Sequence, residues 1–310
     1  MSLPKEILEI FYKTLSGELP VLEFEEWLYA NHQLEAMMTP DDYLDLIAYG
    51  YKGQGALPGL HELLRKHVDE RELAFRTHVQ KKYAQGYRPT LIKTPFDEQL
   101  QRIKEKLVTA AQADKNCMAY GAELHEYMLS VPVTEEEAAA FERRYSIQLP
   151  ADYRAFLLVV GNGGVEFEES YGILGAGPYN GLYPLDYEND KSKDYLKYDC
   201  VIDPDMTIEQ WELLAQFKNK QGKISPEAYR QEAHKVFGGV LPLGSQGCSY
   251  IHALVVKGPY AGRVVNLDYN YIVPPLFAPT ATFLDWYEGW LDEVINGTLL
   301  KRDAPFYGFP

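Results

Sequence analysis

The stretch Val133-Thr134-Glu135-Glu136-Glu137 runs through Phe141-Glu142 to Tyr145 and is followed by Leu149-Pro150-Ala151-Asp152-Tyr153-Arg154-Ala155-Phe156-Leu157 and then by Gly161-Asn162-Gly163-Gly164. Thr134 and Glu137 have capping-box spacing, in which each side chain satisfies the other residue's backbone N–H. This predicts a short helix ending near Tyr145. Leu149-Pro150-Ala151-Asp152-Tyr153 opens a second helix whose apolar face is Tyr153, Phe156, Leu157 and Val160, and Gly161 is placed to end it. Asn162 is expected to bond its own loop backbone, as Asn does in turns.

Towards the C-terminus the pattern changes period. Ile251 to Lys257 and Gly262 to Leu267 are Val-rich and bounded by Gly and Pro, which reads as strands. Thr282 to Asp285 repeats the capping spacing. The helix it opens carries Phe283, Trp286, Tyr287, Trp290, Leu291 and Val294, a stripe wide enough to be core packing. Helices at both ends with strands between them predict an α+β fold.

Towards the N-terminus the chain reads as helices alone. Ile7, Ile10, Phe11 and Leu15 share one helical face, and Phe24, Trp27 and Leu28 mark a second helix. Thr39-Pro40-Asp41-Asp42 is a helix start, with a cap, a first-turn proline and two carboxylates at the positive dipole end. The expected face of that helix is Tyr43, Leu44, Ile47 and Ala48. Gly50 to Gly59 is expected to break the pattern, and Leu60, Leu63, Leu64, His67 and Val68 resume it. A connector bracketed by Gly86 and Pro89 on one side and Thr94-Pro95 on the other divides the chain. The expected organisation is a helical module over residues 1–88, a linker over 89–95 and an α+β domain over 96–310, with Thr94 capping the domain's first helix.

Composition bounds the function. The 310 residues are 46% hydrophobic and 24% charged, which is ordinary for a globular protein. No apolar run approaches the ~20 residues that span a bilayer. The opening residues turn acidic and amphipathic at once, unlike a secretory signal. Cys117, Cys200 and Cys248 are odd in number and widely spaced, so a disulfide framework is not expected and the cytoplasm is the expected compartment. A net charge of −15 repels phosphate backbones and anionic lipid, so neither a nucleic-acid nor a membrane partner is expected. The same charge would attract a basic protein.

The search for chemistry finds no cluster that asks for catalysis. Cys248 and His252 are four apart, but in a Gly-rich turn running into a strand, and a buried structural role is the expectation for the thiol. Gly244-Ser245-Gln246-Gly247 lacks the GxSxG spacing of a nucleophile elbow, so Ser245 reads as a turn residue. Gly161 to Gly164 follows a helix, where the dipole presents its negative end, and is no phosphate cradle. Glu168, Glu169 and Asp268 could serve as acids, yet nothing selects them. The expectation is no catalytic residue, no metal and no cofactor.

Between Val165 and Asp205, ten acidic residues stand against three lysines, interleaved with six tyrosines. Tyrosine supplies contact area and charge steers encounter, so this segment is the candidate partner face, the alternative being a solvated acidic loop. Its expected contributors are Glu166, Glu168, Glu169, Tyr179, Tyr183, Asp186, Glu188 and Asp190.

The opening blocks from Val133 to Gly164 resemble the start of a SUKH domain, a superfamily named partly for yeast cell-wall assembly regulators. Gly175-Ala176-Gly177-Pro178-Tyr179-Asn180-Gly181-Leu182-Tyr183-Pro184-Leu185 is similar to a loop of many bacterial members. Leu241-Pro242-Leu243-Gly244 with Gln246-Gly247-Cys248, then Leu254 to Tyr260 and Gly262-Arg263-Val264, resembles their central hairpin, and Thr282 to Leu291 their closing helix. The similarity covers roughly residues 96 to 297 in matching order. Phe24 to Tyr29 and Asp42 to Ile47 resemble a small helical module of some bacterial immunity proteins. The resemblance implies a mainly antiparallel sheet flanked by helices. It also implies a binding protein rather than an enzyme, used by bacteria for immunity against polymorphic toxins, often nucleases or deaminases. A general interaction module, as in the yeast relatives, and an unrecognised enzyme are the alternatives.

Overall fold

The computed structural model describes residues 3–52, 56–89, 92–165, 175–187, 195–301 and Tyr307, and the chain divides into two units between Tyr87 and Arg88. Among the described residues the first unit is all helical. Its helices are α1 (Lys5–Ser16), α2 (Val21–Ala30), α3 (Pro40–Ile47), α4 (Ala56–Arg65) and α5 (Glu70–Ala84). Thr39 caps α3 as its sequence predicts, accepting a hydrogen bond from the Asp42 N–H at 3.2 Å. Phe11, Phe24, Leu28, Leu34, Leu46, Leu60 and Leu64 are almost wholly buried and form the unit's core. Arg76 on α5 reaches Glu9 on α1 and Glu72 on its own helix, both at 2.7 Å, and lies over the Tyr12 ring.

Two expectations fail in this unit. The buried face of α3 is centred on Leu46, with Tyr43 and Ile47 half-buried and Leu44 exposed, because the helix is short and its last turn faces the core. Gly59 lies within α4 instead of before it. The Tyr49 ring occupies the space where a Cβ would stand, so the glycine serves packing rather than helix breaking.

The second unit begins with α6 (Asp97–Ala113), the short α7 (Ala122–His125), α8 (Glu135–Tyr145) and α9 (Ala151–Val159). Both halves of the Thr134–Glu137 capping box form. Helix α9 ends on Val160, and Gly161 follows with its N–H on Phe156 O, closely packed against Leu129 and Ser130. Thr94 is not the cap of α6. Its N–H and hydroxyl both donate to the Asp97 carboxylate one turn ahead, and Phe96 occupies the cap position.

Two helices unanticipated in the sequence follow, α10 (Ile208–Leu214) and α11 (Pro226–Phe237). The first starts on a Thr207–Gln210 capping box and the second on Ser225 with Pro226 in the first turn, signals of the same kind as those that announced α8 and α3. Strands β1 (Val240–Gly247), β2 (Tyr250–Val255), β3 (Val264–Asp268) and β4 (Leu276–Phe277) then pair antiparallel in sequence order, and α12 (Phe283–Ile295) closes the unit.

The sheet is covered on both faces, which explains why most of its strand residues are apolar. Leu241, Leu243, Leu254 and Val264 face a core built with α6, α9 and α12. Val240, Ile251, Ala253, Val255, Val265 and Leu267 face a second core built with α10 and α11, where Trp211 is buried. Alternation along each strand divides neighbouring residues between these cores. On α12, Phe283 meets Tyr153 at 4.7 Å and Phe156 at 5.1 Å, edge to face, and Asp152 accepts the Leu284 N–H. An ion network joins α12 to α6, with Glu288 accepting from Arg102 and Lys106, each at 2.9 Å, and from Gln99 at 3.0 Å.

Candidate partner interface

The loop blocks of the sequence come together at the outer edge of β1. Gly175 and Leu182 exchange backbone hydrogen bonds, closing a tight loop, and Tyr183 N–H donates to Leu243 O at 2.7 Å. Asn180 N–H reaches Ser245 O at 3.3 Å, so this loop covers the edge that β1 would otherwise leave open. A side chain at Gly244 would overlap the carbonyl of Gly181, and one at Gly163 would overlap the backbone of Tyr183 and Pro184. Gly163 also has a φ of 55°, a conformation that favours glycine. Asn162 bonds across the fold rather than within its own loop. Its Oδ1 accepts the Leu185 N–H at 2.8 Å, because the adjoining loop brings that donor to it. The glycine motifs therefore stitch three segments together and are scaffold.

Beneath the loop lies a polar set on β1, β2 and β3, in which Gln246 and Asn266 are half-buried. His252, fully buried, has its Nδ1 within 2.9 Å of Gln246 Nε2 and 3.0 Å of Asn266 Oδ1, and Gln246 also bonds Asn266. Burial pushes the imidazole down to about 3, against hydrogen bonds to the Asn266 side chain and the Pro178 backbone that favour its charged form, so it is neutral near pH 7. Tyr179 lies over it with ring centroids 4.7 Å apart, and Trp286 meets it at 5.2 Å. These contacts fasten the loop to the sheet and to α12.

Of the candidate interface residues, Glu166, Glu168, Glu169, Glu188 and Asp190 lie outside the described residues. Asp186 is exposed, and Tyr183 is half-buried, stacked on Tyr187 with centroids 4.3 Å apart. Tyr179 is only 6% exposed, and its hydroxyl donates to Tyr307 O, so its described contacts are internal. Further along the segment, Asp203 accepts from the Tyr260 hydroxyl at 3.0 Å, while Asp199 and Asp205 are exposed.

The other chemical candidates resolve into structure. Cys248 is exposed at the β1–β2 turn with a φ of 51°, not buried, because the hairpin's reversal turns it outwards. Ser245 lies within β1 beside a register irregularity, its Oγ accepting the Gly247 N–H at 3.0 Å. Burial pushes the Asp268 carboxyl up. The Ser249 hydroxyl and the N–H groups of Asn270, Ile272 and Val273 outweigh that and hold it below the usual range. It organises the turn after β3. Among the described residues, no group of three His, Cys, Asp or Glu side chains could hold a metal ion, and no helix is long and apolar enough to cross a membrane.

Sequence reasoning missed a set of exposed apolar side chains. Ile272, Val273 and Leu276 project from the segment that Asp268 organises, at 73%, 42% and 39% exposure, with Tyr250 at 38% on β2. Their only advance signal is an apolar run, Tyr271-Ile272-Val273-Pro274-Pro275-Leu276, in a stretch broken by prolines.

No curated protein and no solved structure matches the chain. The profile of the SMI1 / KNR4 family (SUKH-1) matches residues 132–286, half of the chain, from just before the α8 capping box into α12. With the resembling blocks and the antiparallel sheet inside that span, the chain belongs to the SMI1 / KNR4 family (SUKH-1).

Proposed function

We propose that this protein acts by binding, without catalysis, and that it neutralises a cognate polymorphic toxin of nuclease or deaminase type by occupying it in the cytoplasm. Family membership over residues 132–286 carries the reading. A net charge of −15 supports it, because the catalytic face of a nucleic-acid-directed toxin is basic and an acidic occupant competes with the phosphate backbone. The acidic segment from Val165 to Asp205 is the proposed docking face, with Glu166, Glu168, Glu169, Asp186, Glu188 and Asp190 steering the encounter and Tyr183 supplying contact area. Nothing in this role needs a metal or a cofactor.

The test is co-expression with the product of the neighbouring gene. The two proteins should purify as one species, and the chain should protect cells from that product. A neighbour whose toxicity is unchanged by this chain, and which does not co-purify, would direct attention to the general interaction role of the yeast relatives.

A further inference from the structure

The helical unit carries a charge asymmetry of its own. From Thr14 to Tyr51 there are eight carboxylates and no lysine or arginine, whereas the other residues up to Tyr87 hold nine basic residues against six acidic ones. The acidic stretch spans α2 and α3. Among the described residues, Glu23, Glu26, Asp41 and Asp45 form no ion pair, while Asp42 is engaged by Lys66 at 3.8 Å.

The same two helices expose large apolar side chains. Leu22, Tyr29 and Leu44 are 52%, 45% and 60% exposed, although the unit has buried ten or more others of that kind. Leu22 and Tyr29 are seven residues apart on α2, which puts them on one face about 10 Å apart along the axis, with Glu26 between them. The Tyr29 hydroxyl donates to Ile47 O at 3.2 Å, which fixes the ring against the last turn of α3, and Leu44 lies one turn back from that carbonyl. Three apolar contacts are thus set among unneutralised carboxylates, with the central ring held in place. Apolar anchors inside a rim of one charge sign are the anatomy of a protein interface.

We infer that the α2–α3 face docks a protein partner whose surface is basic and carries apolar side chains. Charge complementarity selects that occupant, since an excess of carboxylates repels a second copy of this face and any phosphate-bearing ligand. The inference goes beyond the proposed function, because it holds whether or not the partner is a toxin.

The probe is a synthetic amphipathic helix of leucine and lysine, titrated into the full chain with leucine methyl groups labelled for NMR. A second peptide has serine for each leucine at the same charge. The leucine-lysine peptide should shift the Leu22 and Leu44 methyl signals, and the L22S/L44S chain should bind it at least ~5-fold more weakly. Both positions face solvent, and an unchanged circular dichroism melt would confirm that the variant folds. The serine peptide should bind the parent chain more weakly than the leucine peptide by a similar factor. Binding of the two peptides with equal affinity, shifts confined to methyls elsewhere, or no binding at all would overturn the inference.

Discussion

Asn162 shows how one side chain joins segments that local reasoning keeps apart. Its carbonyl oxygen accepts the N–H of Leu185, a residue that is 5% exposed, so removing the acceptor strands a buried donor. Asn162→Ala should destabilise the chain by about 1–2 kcal/mol in urea unfolding, while Asn162→Asp, which keeps an acceptor oxygen, should retain most of the stability. Equal midpoints for the parent and the alanine variant would show that the bond contributes nothing. The limits of the sequence are plain at this scale. Thr134 and Glu137 were legible because a capping box is local. The Asn162 bond, the outward turn of Cys248 and the seat of Gly244 on Gly181 were not, because each depends on which distant backbone the topology brings close.

Among the elements, α12 is the one on which the second unit closes, and Glu288 fixes its orientation to α6. Burial pushes this carboxyl up, but the donors from Arg102, Lys106 and Gln99 outweigh it and hold the group at about 2. A carboxylate depressed in the folded state contributes stability that is fully present above its ordinary value of about 4.3 and is lost as pH falls through the folded value. Glu288→Gln should therefore cost about 1–2 kcal/mol at pH 7, a gap that narrows from about pH 5 and is nearly closed at pH 2. Comparing parent and variant cancels the other carboxylates that titrate in the same window. A gap that stays constant across it would mean that the network is worth only its packing. The helices opening at Thr39, Thr134 and Thr282 were legible from their caps, whereas those opening at Thr207 and Ser225 carry caps of the same kind and were not anticipated. The strands were legible as apolar runs, but their covering on both faces was not, because α10 and α11 lie across it and neither was anticipated.

For the whole chain, the division between Tyr87 and Arg88 and the distribution of charge each lead to an experiment. If the two units fold separately, limited trypsin digestion should cut first between about residues 80 and 96, where lysines and arginines border the connector, and leave two stable fragments. A resistant species spanning that stretch would argue for a single folding unit.

Charge acts over the whole molecule at longer range. With a net charge of −15, the acidic segment from Val165 to Asp205 should act mainly on the rate of encounter with a basic partner. Steered association runs ~10-fold to 1000-fold faster than neutral association and slows as salt shortens the Debye length from about 10 Å at 0.1 M. Single rim charges such as Asp186 should matter little, at ~0.2–1 kcal/mol each, whereas a tyrosine that becomes buried on binding, with Tyr183 the half-buried candidate, should cost ~2 kcal/mol when truncated. Reversing Glu166, Glu168 and Asp186 together should slow association with a co-purifying basic partner at low salt and leave dissociation nearly unchanged. At high salt the parent and variant rates should converge. Parent and variant rates that agree at both ionic strengths, with folding intact, would assign this segment to solvent and leave the steering to the carboxylates of the helical unit.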